Sequence, residues 1–403
     1  MTTQMLTLDD LRPSQLENQR VLVRVDFNLP LADGEVADNT RMVATLPTVQ
    51  ELIAARARVI LVSHCGRPRG ERDPRYTLRA VLSELERLLG APVDFADDCV
   101  GPIAQEAAAR LRPGGVLLLE NLRFHGGEKK NDPAFADALA SLADVFVGDA
   151  FGAAHRAHAS VVGVAERLPV RAAGRLMVRE VETLGGLLGE PERPFVGVLG
   201  GAKISGKIET LENLLPRLDA LILGGGMANT FLAARGYDLA RSLVEADRVE
   251  LAGELLRRAE QHGTRVLLPT DLVVTDDLNA PGRTENVTPD AVPEGLMAVD
   301  IGTESRSAFA EACRGAGTLF WNGPLGVFEK PAFSEGTYFL ARALADCPGF
   351  AVIGGGETAA AVKNAGIAEK LGHVSTGGGA SLELLAGKSL PGVEALGREG
   401  NPS

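Results

Sequence analysis

A chain of 403 residues is long for one domain and comfortable for two of roughly 150–200 residues each. With 45% hydrophobic and 23% charged residues it has the composition of a globular protein, and a net charge of −12 speaks against nucleic acid or an anionic membrane as partner. Cys65, Cys99, Cys313 and Cys347 lie far apart with no C-x-x-C, and no segment reads as a signal peptide or a bilayer span, so a reduced, cytoplasmic setting is expected.

In chain order, short runs of Val, Ile and Leu recur, each closing on Gly, Asn, Asp or His. The first half holds RVLVRVDFN (20–28), ARVILVSH (57–64), GGVLLLENLRF (114–124) and DVFVGDAFG (144–152). The second holds PFVGVLGG (194–201), DALILGGG (219–226), TRVLLPTD (264–271), TLFWNGP (318–324) and FAVIGGG (350–356). Uninterrupted apolar strands belong to sheets covered on both faces, hence parallel α/β architecture. Helical stripes fall between them, as at Leu78, Val81, Leu82, Leu85 and Leu89. Two doubly wound, Rossmann-like domains are expected, 1–174 and 195–379. Between them 175–194, which starts as a helix and dissolves into Gly, Glu and Pro, should serve as helical hinge.

In such sheets ligands bind beyond the carboxyl ends of the strands. Those ends in the second half carry Gly200-Gly201, Gly224-Gly225-Gly226, Gly354-Gly355-Gly356 and Gly377-Gly378-Gly379. Glycine lets the backbone approach a ligand, and a following helix offers free amides to phosphate. Tight packing explains one such turn; four in one domain favour a nucleotide-type site. LGGAKISGKIETLENLL (199–215) fits G-x-x-x-x-G-K from Gly201, but Ile208 stands where a P-loop has Ser or Thr. Ile204, Ile208, Leu211 and Leu215 instead predict a helix from about Ala202, with Lys203 and Lys207 on one face of its first two turns. Two solvated surface lysines are the plain alternative. Cations at a helix start oppose its dipole, however, and an anionic ligand would supply the reason.

The first half ends its strands in polar side chains: Asp26 and Asn28, then Arg41; His64 and Arg67; Arg123 and His125; His155, Arg156 and His158. Guanidinium forks clasp phosphate and carboxylate, so a small phosphorylated acid is the expected ligand. The H-x-x-H of His155 and His158 also fits a metal, although Arg156 between them speaks against it. WNGPLGVFE (321–329) adds Glu329, an acid suited to a ribose hydroxyl.

In order, RVDFNLP, SHCGRP, ENLRFH, DAFGAAHRAHAS, LGGAKISGKI, LILGGGMA, DIG (300–302), WNGPLGVFE, IGGGETAA and HVSTGGGASLELL resemble phosphoglycerate kinase over nearly the whole chain. The resemblance implies an N-terminal domain for 3-phosphoglycerate or 1,3-bisphosphoglycerate and a C-terminal one for ATP or ADP with Mg²⁺. It also implies a monomer, whose segment 380–403 returns to the N-terminal domain. It implies that Asp26, Phe27, Asn28, His64, Cys65, Gly66, Arg67, Arg123 and Arg156 bind phosphoglycerate, and that Arg41 bridges its carboxyl group and the phosphoryl in flight. Lys203 would neutralise that phosphoryl and Lys207 the nucleotide phosphates. Gly224, Gly225 and Ala298 would border the adenine, Glu329 hold the ribose and Asn322 lie near the phosphates. Gly355, Gly356, Glu357 and Thr358 would meet phosphates and metal, with Glu357 the metal-side acid, while Gly355 and Gly378 assist transfer. Four positions depart from the family pattern: Glu357 for Asp, Gly206 for Asp, Gly148 for Asn and Ala298 for Gly. A binder without turnover on the same fold, or a kinase for another small acid, are the competing readings.

Overall fold

The computed structural model describes residues 5–397. The chain divides into two compact units, one formed by the N-terminal part to Glu182 together with the stretch from Ser389, the other by Thr183–Lys388.

The first unit is built on a six-stranded sheet of β1 (Arg20–Arg24), β4 (Arg58–Val62), β5 (Asp94–Ala96), β6 (Val116–Leu119), β7 (Val145–Gly148) and β8 (Val170–Ala173). A small hairpin, β2 (Leu31–Ala32) with β3 (Glu35–Val36), follows β1. The sheet order is β5-β6-β4-β1-β7-β8 and every pair is parallel. Strands such as β6 and β7 are buried at every residue, as their continuous apolar runs require. One core forms around Val21, Val23, Val59, Leu61, Leu118 and Val147, against Val49 and Leu52 of the helix Thr40–Ala54 and Leu85 of the helix Leu82–Leu89.

The second unit holds β9 (Phe195–Leu199), β10 (Ala220–Leu223), β11 (Arg265–Leu267), β12 (Leu272–Thr275), β13 (Thr284–Val287), β14 (Met297–Ile301), β15 (Thr318–Asn322), β16 (Phe350–Gly354) and β17 (His373–Val374). Its main sheet runs β11-β10-β9-β15-β16-β17, again all parallel. Trp321, Leu319, Val198 and Ile353 form its core with Phe309 and Leu340. Strands β12, β13 and β14 form a separate antiparallel sheet, with an irregularity in register between Val273 and Val274. No run in the sequence marked that sheet.

Two expectations are corrected. The helix expected from Ala202 spans only Ile208–Leu214. Residues 202–207 form a loop, because Glu245 takes the amide hydrogens of Ile204 (2.6 Å) and Ser205 (3.2 Å) and Gly206 has little helix propensity. Ile204 is still buried, so the stripe was real while the helix was not. Residues 380–388 also group with the second unit, where Leu382 and Leu385 carbonyls accept from Thr210 and Asn213. From Ser389 onward the chain lies on the first unit, through Gly392 N–H to Ala154 O (2.8 Å) and Leu6 N–H to Leu396 O (3.0 Å). That return lays Leu396 over Gly148, where a Cβ would sit 2.8 Å from Leu396 Cδ1.

Candidate active site

In the first unit the residues expected to bind phosphoglycerate follow β6, β4, β1 and β7, four neighbouring strands of one parallel sheet. Parallel strands deliver these loops to one edge. Asn28 Oδ1 accepts the Gly66 amide (2.8 Å), and Phe27 N–H donates to Ser63 Oγ (2.8 Å), which locks the loop after β1 to the loop after β4. Gly66 has φ +62, and a side chain there would collide with Tyr76, so only glycine fits. Cys65 is buried beside it. Arg41, from the helix Thr40–Ala54, donates to Asn28 O (3.1 Å) and lies 3.3 Å from Asp26 Oδ2. Arg123 donates to Gly66 O (2.7 Å), while its Nε is buried without a partner.

Behind these groups lies a buried network that the sequence reading missed. Arg24 is 2% exposed. It donates to Val25 O and to Ser160 Oγ (2.9 Å), and its Nη2 lies 3.0 Å from His64 Nδ1. Glu128, also buried, accepts from the Ser160 amide and hydroxyl (3.0 and 2.7 Å) and lies 3.5 Å from His158 Nδ1. A guanidinium only donates, so His64 Nδ1 must accept and the ring proton sits on Nε2. Burial, then Arg24, Arg123, Arg156 and His158, push the His64 pKa well below the usual histidine value, so the ring is neutral at neutral pH. Burial first, then Arg156 and Arg24, bring Arg123 down to about 10. Cations this crowded repel one another, and an anion would relieve the cost. The one signal for Arg24 was a charge inside an otherwise apolar strand.

The remaining first-unit residues are looser. Arg156 is exposed and donates to His155 Nε2 (3.0 Å). Arg67 is exposed and lines a cavity with Arg69, Arg72 and Tyr76. His155 and His158 turn to Arg156 and Glu128 respectively.

The second unit uses β10, β9, β15, β16 and β17 in the same way. A cavity of about 300 Å³ is lined by Gly225, Gly226, Leu243, Met297, Ala298, Leu325, Glu329 and Glu357, among others. Its mostly apolar wall with a few acids suits a planar base and a ribose. Gly225 (φ +65) could carry no side chain, since a Cβ would meet Gly201 O at 2.7 Å. Gly224 precedes it under Leu325 and does not line the cavity. Ala298 N–H donates to Ser242 Oγ (2.8 Å), and the residue lines the cavity. Asp300, also on the wall, accepts the Gly336 (2.6 Å) and Ile301 (2.9 Å) amides, and burial raises it to about 6.

Toward phosphate chemistry, Lys207 donates to Gly200 O (2.8 Å); burial lowers its pKa while Glu357 acts the other way. Lys203 is exposed on the loop that Glu245 holds. Gly356 and Glu357 open the helix Gly356–Asn364 after the Gly355 turn, and Thr358 Oγ accepts the Gly323 amide (2.7 Å). Asn322 is buried, and its Nδ2 has no partner. A buried amide donor left open beside a glycine turn fits an absent acceptor such as a phosphate oxygen. Gly378 caps the helix Gly379–Leu385 with open space around it.

Residues 8–388 match the family model described as phosphoglycerate kinase. The chain belongs to the phosphoglycerate kinase family. The phosphoglycerate kinase of Moorella thermoacetica is 58% identical over 391 residues, covering 97% of this chain and 98% of that protein. That of Thermomicrobium roseum is 55% identical over 388 residues, covering 96% and 99%. Among solved structures, phosphoglycerate kinase from Coxiella burnetii superposes with a TM-score of 0.86 at 39% identity, covering 98% of this chain and 99% of that one. The α/β fold with two parallel sheets is thus that of phosphoglycerate kinases.

Proposed function

We infer that this chain catalyses reversible phosphoryl transfer between 1,3-bisphosphoglycerate and ADP, giving 3-phosphoglycerate and ATP. The observation that carries this beyond family membership is the pair of buried, unpartnered donors, Arg123 Nε in one unit and Asn322 Nδ2 in the other. Each is a buried donor left open, and an anionic oxygen of a bound ligand would satisfy it.

In this reading Arg67, Arg123, Arg156 and the Nε2–H of neutral His64 hold the phosphate that is not transferred. Asp26 and Asn28 read the glycerate hydroxyl and carboxylate region, with Phe27, Cys65 and Gly66 shaping the loops around it. Arg41 bridges the carboxyl group and the moving phosphoryl. The cavity takes adenine against Gly225 and Ala298, and ribose at Glu329. Lys207, Asn322 and the Gly355–Thr358 turn hold the phosphates, and Lys203 and the amides near Gly378 neutralise the group in transit. Glu357 would hold the Mg²⁺ that accompanies the nucleotide, and that ion would supply charge neutralisation on the phosphates. No covalent protein intermediate is needed, since such transfer depends on in-line positioning and charge stabilisation. An acyl phosphate must be shielded from water, so we propose that segment 175–194 closes the two units around the substrates. A cytoplasmic monomer is the setting this reading expects; among the described residues no helix is long and apolar enough to cross a membrane.

A binder without turnover is not favoured, because Glu357 keeps a carboxylate on the cavity wall and Lys207 remains in place. Calorimetric titration of 3-phosphoglycerate and of MgADP into wild type and Arg123→Gln tests the assignment. The variant should lose phosphoglycerate affinity by about tenfold or more and keep its nucleotide affinity. Unchanged phosphoglycerate affinity would overturn it.

A further inference from the structure

Beside the phosphoglycerate loops, the first unit brings together three metal-ligating groups that the reaction does not use: Asp98, Cys99 and His125. Asp98 and Cys99 follow the edge strand β5, and His125 follows the turn Leu122–Phe124 after β6, the strand paired with β5. One carboxylate oxygen, the thiol sulfur and one imidazole nitrogen all lie within 4.8 Å of one another. In sequence the cluster is invisible, because its halves belong to different strand ends.

The groups are held rather than gathered by chance rotation. His125 Nε2 lies 2.7 Å from Asp98 Oδ1, and the same oxygen accepts the Cys99 amide (2.7 Å). The imidazole stacks on Phe135, with centroids 5.3 Å apart and planes 27° from parallel. Such contacts orient ligands before a metal arrives. The Cys99 side chain is 0% exposed, whereas those of Asp98 and His125 are each 33% exposed. The thiol therefore forms the floor and the other two the mouth, open to an ion from solvent. Nearby cations are already engaged: Arg79 pairs with the Asp97 carboxylate at 2.6 Å, and Arg72 donates to the Asp97 carbonyl.

We propose that Asp98, Cys99 and His125 form a zinc(II) site, distinct from the Mg²⁺ that accompanies the nucleotide. One sulfur, one nitrogen and one oxygen are a zinc donor set, whereas Mg²⁺ takes oxygen ligands and keeps its waters. Zinc replaces the proton of the Cys99 thiol, which passes to solvent, while the neutral imidazole binds through Nε2 and carries its one proton on Nδ1. Bonds of roughly 2.0–2.3 Å require the three ligands to draw inward, which the two partly exposed side chains permit. Water fills the fourth tetrahedral position. The ion then staples the edge strand β5 to β6 through their carboxyl ends.

The test uses the full-length protein, stripped of metal and kept in excess Mg²⁺, titrated with Zn²⁺ against a chromophoric chelator. One equivalent should be retained. Cys99→Ser and His125→Gln should each weaken retention by at least about tenfold, and Cys347→Ser should leave it unchanged. Cobalt(II) added to wild type should give a thiolate-to-metal charge-transfer band, a readout that depends on no variant. Failure to retain zinc in excess Mg²⁺, retention that survives both ligand substitutions, or a cobalt spectrum without the thiolate band would each overturn the proposal.

Discussion

His64 is set by its neighbours more than by its own chemistry. Arg24 Nη2 at 3.0 Å forces Nδ1 to accept, and burial among cations keeps the ring neutral. Nitrogen NMR of the histidines should find His64 with its proton on Nε2 and no titration near the usual histidine pKa; a protonated ring at neutral pH would contradict this. Below about pH 6.5 the unfolded chain takes a proton that folded His64 refuses, so this residue's contribution to stability falls as pH falls. In the other unit, Asn322→Ala removes an unpaired buried donor. If Nδ2 serves a nucleotide phosphate, KM for ATP should rise by roughly 10- to 100-fold with little loss of folding stability, since no protein partner loses a bond. An unchanged KM for ATP would count against that role. Most of the candidate-site side chains could be named in sequence because each stands near the end of an apolar run. Arg24, Glu128 and Ser160 were not, since a buried network joins residues from three separate segments and no local pattern announces it.

At the scale of elements, the inner parallel strands were readable for a physical reason: strands covered on both faces are apolar throughout. The edge strands β5, β8 and β17, short and partly exposed, carried no such run. Short, partly exposed strands such as TENV carry no such signal, and so the antiparallel sheet bordering the cavity went unread. The loop at 202–207 was misread because Ile204 keeps helical spacing while Glu245, distant in sequence, holds its amide. Another long-range contact governs the helix Arg175–Leu188. Asp149 accepts the Met177 amide at 3.0 Å near that helix's start, its second oxygen has no partner, and burial raises its pKa to about 7. Between about pH 4 and 7 the folded state therefore holds a proton that the unfolded state has released, and stability declines as pH rises through that window. Asp149→Asn should flatten this slope, gaining about 2–4 kcal/mol relative to wild type at pH 7. Chemical denaturation at several pH values would show it; parallel profiles for the two proteins would remove Asp149 as the cause.

At the scale of the whole molecule, each unit carries its own set of strand-end loops, one cationic and one built around an apolar cavity. Phosphoryl transfer needs the two sets brought together, and segment 175–194 is the proposed hinge. Small-angle scattering should show the radius of gyration falling when 3-phosphoglycerate and a nonhydrolysable ATP analogue are both present, and less with either alone. An unchanged radius would remove the hinge. The central claim meets its most direct test in a coupled assay of ATP consumption with 3-phosphoglycerate and Mg²⁺, run on wild type and Glu357→Asp. The expected result is turnover by wild type that requires all three components, showing that glutamate serves at the metal-side turn. Nucleotide binding without turnover in either protein would contradict the account.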